Sequence, residues 1–92
     1  MTSSKTIFVT GATSGFGKSI AFTFAQHGWN LIISGRRTSR LEAIADEIRE
    51  QYNVAVLTLC FDVRDRDAVT QAINTLPHDW KQIDVLVNNA GL

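Results

Sequence analysis

Four short apolar runs, separated by stretches whose apolar residues recur at helical spacing, constrain this chain more than any other feature. The runs are "TIFVT" (6–10), "NLIISG" (30–35), "VAVLTLCF" (54–61) and "IDVLVNN" (83–89). Consecutive apolar and β-branched positions leave no wet face, so such a run suits a strand covered on both sides. Between the first two runs, from about Gly15 to His27, Ile20, Ala21, Phe24 and Ala25 share one helical face, and Gly28 supplies a left-handed stop. After the second run, Ser39 and Glu42 have the spacing of a capping box ahead of Leu41, Ile44, Ala45 and Ile48, which predicts a helix to about Gln51. A third stripe, Ala68, Val69, Ala72, Ile73 and Leu76, is closed by Pro77. Strand and helix in strict alternation mean right-handed crossovers and an α/β fold: a doubly wound parallel sheet with helices on both faces.

With 92 residues the chain is one domain at most, and no composition shift, repeat or linker divides it. Lysine plus arginine equals aspartate plus glutamate, 9 against 9, which argues against nucleic acid or an anionic membrane as partner. No apolar stretch has the length of a signal peptide or membrane span. The single cysteine, Cys60, has no partner for an internal disulfide and falls within an apolar run. We therefore expect a buried thiol and a soluble cytoplasmic protein. His27 and His78 fall at helix ends as solvated residues, and no metal-ligand spacing is present.

Chemistry concentrates in "TGATSGFGKS" (10–19), the turn from the first strand into the first helix. Gly11 permits a sharp exit from the strand, Gly15 lets a ligand approach bare backbone, and Gly17 lets helix and sheet pack closely. The N–H groups and dipole of the helix start then favour a phosphate. The same letters, read as "ATSGFGKS", also fit a relaxed P-loop, with Ala12 in place of glycine and Gly17-Lys18-Ser19 at its end. Two functions stay open on this stretch, a dinucleotide-dependent oxidoreductase and a phosphoryl-transfer enzyme. The tip of the second strand favours the first. It reads "SGRRTSR", where a dinucleotide site carries an acid for NAD or an arginine for the 2′-phosphate of NADP, and Arg36 and Arg37 suit the latter. At the third tip Asp62 can accept from the adenine amino group with Val63 against the ring, although Asp62 could equally cap the helix that follows. A non-enzymatic nucleotide-binding module is a further alternative.

Together, "TGATSGFG" (10–17) and "NNAG" (88–91) make the chain resemble the short-chain dehydrogenase/reductase family. The wider text, "GRR", "FDVRDR" and "LPHDWKQIDVLVNNAGL", is most similar to its NADP-dependent branch acting on 3-hydroxy acids, serine among them. The resemblance implies a Rossmann-like domain with strand order 3-2-1-4 and NADP as cofactor. It implies that Gly11, Ala12, Thr13, Ser14, Gly15 and Phe16 line the pyrophosphate and its ribose, and that Arg36 and Arg37 meet the 2′-phosphate. Asp62 and Val63 would hold adenine, while Asn89, Ala90 and Gly91 border the adenosine ribose. Thr10 and Asn88 would tie the fourth strand to the glycine loop. The family's chemistry uses a serine, a tyrosine and a lysine four residues after that tyrosine. The only tyrosine here, Tyr52, is followed at that distance by Val56, so no catalytic residue is assigned.

The expectation is thus that residues 1–92 form the N-terminal, cofactor-binding part of a single NADP-binding domain, the catalytic part following Gly91. The complete enzyme would move a hydride between NADP and the hydroxyl-bearing carbon of a small substrate, whereas this chain alone would not catalyse. Strand order 3-2-1-4 leaves an apolar edge at 83–87, so we also expect self-association as a homo-oligomer, or instability.

Overall fold

The computed structural model describes residues 5–13, 15–62 and 65–89. Its elements run β1 (Thr6–Thr10), α1 (Gly15–Gln26), β2 (Asn30–Gly35), α2 (Thr38–Gln51), β3 (Val56–Cys60), α3 (Arg66–Asn74), a 3-10 turn at His78–Trp80, and β4 (Val85–Asn88). The strands form one sheet in the order β3-β2-β1-β4, every adjacent pair parallel. This is the doubly wound arrangement expected from the alternation of apolar runs and amphipathic segments.

Side chains leave the strands alternately, so each strand feeds two cores. Ile7, Val9, Leu31, Ile33 and Val56 face α1 and α2 and pack with Ala21, Ala25, Leu41, Ile44, Ala45 and Ile48. Phe8 and Ile32 face the other way, against Leu76, Ile73, Trp80 and Ile83. Burying a side chain of this size contributes about 1.5–3 kcal/mol, and the two central strands bury nearly every residue. Small residues on α1, Ala21 and Ala25, allow that helix to lie close to the sheet. Its end is set by Gly28 at φ 85°, a left-handed stop whose N–H reaches the Ala25 carbonyl at 3.0 Å.

The edge strands depart from the sequence expectation. β3 pairs over Val56–Cys60 and β4 over Val85–Asn88, both shorter than their apolar runs. Apolarity continues beyond the residues that find a ladder partner, and only pairing defines the strand. β4 alternates half-buried with exposed positions, and Leu86 is 49% exposed on the face opposite α1 and α2. Cys60 is exposed, not buried as its apolar neighbours suggested, because it closes a strand that lies at the edge of the sheet among the described residues.

The capping box at Ser39 and Glu42 does not form. Only Arg36 and Arg37 separate β2 from α2, so the helix begins at Thr38 and Ser39 already lies inside its first turn. Arg37 occupies the cap position without a side-chain cap bond. Glu42 turns instead to β3, accepting from the Thr58 hydroxyl at 2.6 Å. α3, by contrast, is capped by Asp65, whose carboxylate accepts from the N–H groups of Asp67 and Ala68. No helix among the described residues is long and apolar enough to cross a membrane.

Candidate nucleotide site at the carboxyl edge of the sheet

In an open parallel sheet the strands all point their carboxyl ends at one edge, and ligands bind in the crevice beyond it. Thr10, Gly35, Cys60 and Asn88 end the four strands, so the glycine turn, the two arginines, Asp62 and Asn89 share that edge.

The glycine turn is built by two close approaches. Gly11 adopts φ 65°, which turns the chain sharply out of β1. Gly17 lies in the first turn of α1 with its Cα pressed on Gly11: a Cβ there would fall 2.4 Å from the Gly11 carbonyl oxygen and 3.0 Å from Asn89 Nδ2. Gly15 is the opposite case, exposed, with nothing within 4 Å of a Cβ. One glycine thus shuts the helix against the strand turn, and the other leaves bare backbone at the helix start, where N–H groups lack intrahelical partners. Phe16 beside it is 70% exposed. Ala12 does not line this surface. Its methyl is fully buried in the core and its N–H donates to the Ser34 carbonyl at 2.9 Å, so it anchors the loop to β2. Thr13 packs its Cγ2 at 3.0 Å from the Cβ position of Gly35, bringing the loop against the end of β2.

Thr10 and Asn88 make the tie expected of them. The Thr10 hydroxyl, fully buried, donates to Asn88 Oδ1 at 2.9 Å and accepts from the Asn89 N–H at 2.9 Å. Asn89 continues inward, with Nδ2 3.4 Å from the Gly11 carbonyl oxygen. Its side chain therefore braces β4 against the glycine turn from within the site.

Arg36 and Arg37 are exposed, and neither guanidinium has a hydrogen bond or ion pair among the described residues. Two paired donors on a two-residue connection, facing solvent at the ligand edge, suit a phosphate. Asp62 is half-buried, and its carbonyl accepts from the Asp65 N–H at 3.0 Å. Because Asp65 caps α3, the capping role that competed for Asp62 is filled by another residue. Ser14, Val63, Ala90 and Gly91, also expected at the site, lie outside the described residues.

Two features went unread in the sequence. Ser34 is fully buried and its hydroxyl has no partner among the described residues. Cys60 is paired at the tip of β2: its Sγ accepts from the Thr38 hydroxyl at 3.2 Å and donates to the Arg36 carbonyl at 3.5 Å. The β2–β3 register, Gly35 opposite Cys60, creates this contact, and hydropathy carries no information on register.

A P-loop arrangement fits poorly. Gly17, Lys18 and Ser19 are all helical, Gly17 is closed against Gly11, and Lys18 lies on the flank of α1 with Nζ 5.8 Å from the Phe22 ring. Lys18 lines a groove of about 410 Å³ between α1 and α2 with Phe22, Glu47 and Tyr52. No group of three or more His, Cys, Asp or Glu among the described residues could hold a metal ion.

Fold and edge together define a doubly wound α/β protein with a ligand crevice at the carboxyl ends of its strands. The chain belongs to the short chain dehydrogenase family, whose model matches residues 5–92. It is 47% identical over 89 residues to a serine 3-dehydrogenase of Agrobacterium fabrum, covering 97% of this chain and 34% of that protein. To the NADP-dependent 3-hydroxy acid dehydrogenase YdfG of Salmonella typhi it is 50% identical over 86 residues, covering 94% of this chain and 33% of that one. Among solved structures, L-sorbose reductase of Gluconobacter frateurii, complexed with NADPH and L-sorbose, superposes with a TM-score of 0.89 at 33% identity. That match covers 98% of this chain and 34% of the reductase. The chain thus spans about a third of the length of the curated relatives it matches.

Proposed function

We propose that this chain is the NADP-binding part of a cytoplasmic short-chain oxidoreductase acting on the hydroxyl-bearing carbon of a small molecule, a 3-hydroxy acid such as serine. One observation carries the cofactor reading: Arg36 and Arg37 stand without partners among the described residues, at the ligand edge, on a connection only two residues long. The activities of the serine and 3-hydroxy acid dehydrogenases, each about half identical to this chain, support the substrate class.

The residues at the edge fit NADP. The backbone at Gly15 and the start of α1 would receive the pyrophosphate, since a side chain there would occupy the approach. Arg36 and Arg37 would hold the 2′-phosphate by charge-assisted hydrogen bonds, and Asp62 would accept from the adenine amino group. Gly11, Thr13 and Phe16 would border the pyrophosphate and its ribose. Ser14, Val63, Ala90 and Gly91 are proposed to complete the lining. Bound nicotinamide supplies hydride chemistry. This chain's own residues bind and orient; the family's tyrosine with a lysine four residues after it has no match at Tyr52, which is followed at that distance by Val56.

A thermal-shift comparison of NADP with Mg-ATP tests the reading. At ten times its Kd a ligand stabilises by about 1.4 kcal/mol, a rise of roughly 6–11 °C in a domain of this size. NADP should produce that rise and Mg-ATP should not. Stabilisation by Mg-ATP alone would restore the phosphoryl-transfer reading.

A further inference from the structure

Three consecutive carbonyls at the end of β2 are each engaged by a neighbouring element. Ser34 O accepts from the Ala12 N–H of the glycine turn at 2.9 Å, Gly35 O from the Phe61 N–H after β3 at 3.1 Å, and Arg36 O from the Cys60 thiol at 3.5 Å. The Thr38 hydroxyl then donates back to Cys60 Sγ at 3.2 Å, so one thiol holds the Arg36 carbonyl and the Thr38 side chain, on either side of Arg37. On the other flank, Thr13 Cγ2 fills the space beside Gly35. The arginine connection is therefore fixed by its surroundings, although both side chains are exposed.

This geometry matters because long, exposed arginine side chains lose rotamer freedom when they grip a phosphate. A backbone already held in place reduces what must be ordered on binding. Resting on the NADP reading above, we infer that Cys60 and Thr38 are positioning residues for Arg36 and Arg37, and that they set preference for a 2′-phosphate without touching the nucleotide. A thiol both donates and accepts weakly, and here it does one of each, to the residues immediately before and after Arg37. Serine keeps both roles; valine keeps the volume and neither role.

The test compares adenosine 2′,5′-bisphosphate with 5′-AMP, which differ by the 2′-phosphate alone, in calorimetric titrations of the 92-residue chain and its variants. Cys60→Val and Thr38→Val should each lower the ratio of the two affinities by about 3- to 10-fold, leaving 5′-AMP affinity unchanged, and Cys60→Ser should retain most of the ratio. A ratio unchanged in both valine variants would overturn the inference. So would an equal loss of both affinities, which is the mark of general loosening. If the unmodified chain shows no preference for the bisphosphate, the NADP reading itself fails; a preference that survives both valine variants refutes only the positioning role.

Discussion

Gly17→Ala probes the close approach on which the glycine turn depends. The added Cβ would fall 2.4 Å from the Gly11 carbonyl oxygen, where ordinary contact begins at 3.4 Å. The obstacle is backbone, and a rotamer change cannot relieve it. Either α1 must retreat from β1 or the Gly11 turn must move, and Asn89 Nδ2, 3.0 Å from the same Cβ, stands in the way of a small adjustment. Overpacking of this kind costs about 1–3 kcal/mol, with a backbone clash at the upper end. Alanine's better helix propensity offsets up to about 1 kcal/mol. The net loss should be about 2 kcal/mol, and the midpoint in a circular-dichroism melt should fall by roughly 8–16 °C. Gly15→Ala is the matched control in the same turn: nothing lies within 4 Å of its Cβ, so its melt should stay within a few degrees of the unmodified chain. If Gly17→Ala melts like the unmodified chain, or Gly15→Ala falls as far, the packing argument is refuted.

Other perturbations separate the remaining supports. Thr10→Val removes the buried acceptor of the Asn89 N–H and the donor to Asn88 Oδ1, and urea unfolding should report a loss of about 1–3 kcal/mol. Asp65→Ala deletes the α3 cap and should cost about 1 kcal/mol by the same measurement, whereas a neutral result would assign the cap elsewhere. Leu86→Glu places a charge on the exposed edge strand; folding stability should change by less than about 0.5 kcal/mol while sedimentation shows reduced self-association. Unchanged association would mean that β4 is not the contact.

The centre of the fold was legible in the sequence because its signals are local. β1, α1, β2 and the end of α2 fall within a residue of the periodicity reading, and Gly28 stops α1 as its lack of a Cβ allows. The errors arise where distant pairing decides. The runs at 54–61 and 83–89 are longer than the strands they contain, because hydropathy continues past the ladder. Cys60 was expected inside from its neighbours and is outside because β3 is an edge. The capping box at Ser39 failed because two residues suffice to join β2 to α2, a length that no spacing rule fixes. At the site, Gly11 and Gly17 were legible since only glycine meets their geometry. Ala12, by contrast, turned out to anchor the loop, because its N–H is committed to β2. The Thr38–Cys60–Arg36 contact depends on strand register and left no mark in the sequence.

Calorimetric titration of the chain with NADP and with NAD tests the roles of Arg36 and Arg37 most directly. Charge-assisted pairing at exposed arginines should give NADP an advantage of about tenfold or more, on the order of 1.5–3 kcal/mol, shrinking as salt is raised and lost in the double variant Arg36→Ala, Arg37→Ala. Equal affinity for the two dinucleotides, or an advantage that survives removal of both arginines, would contradict it.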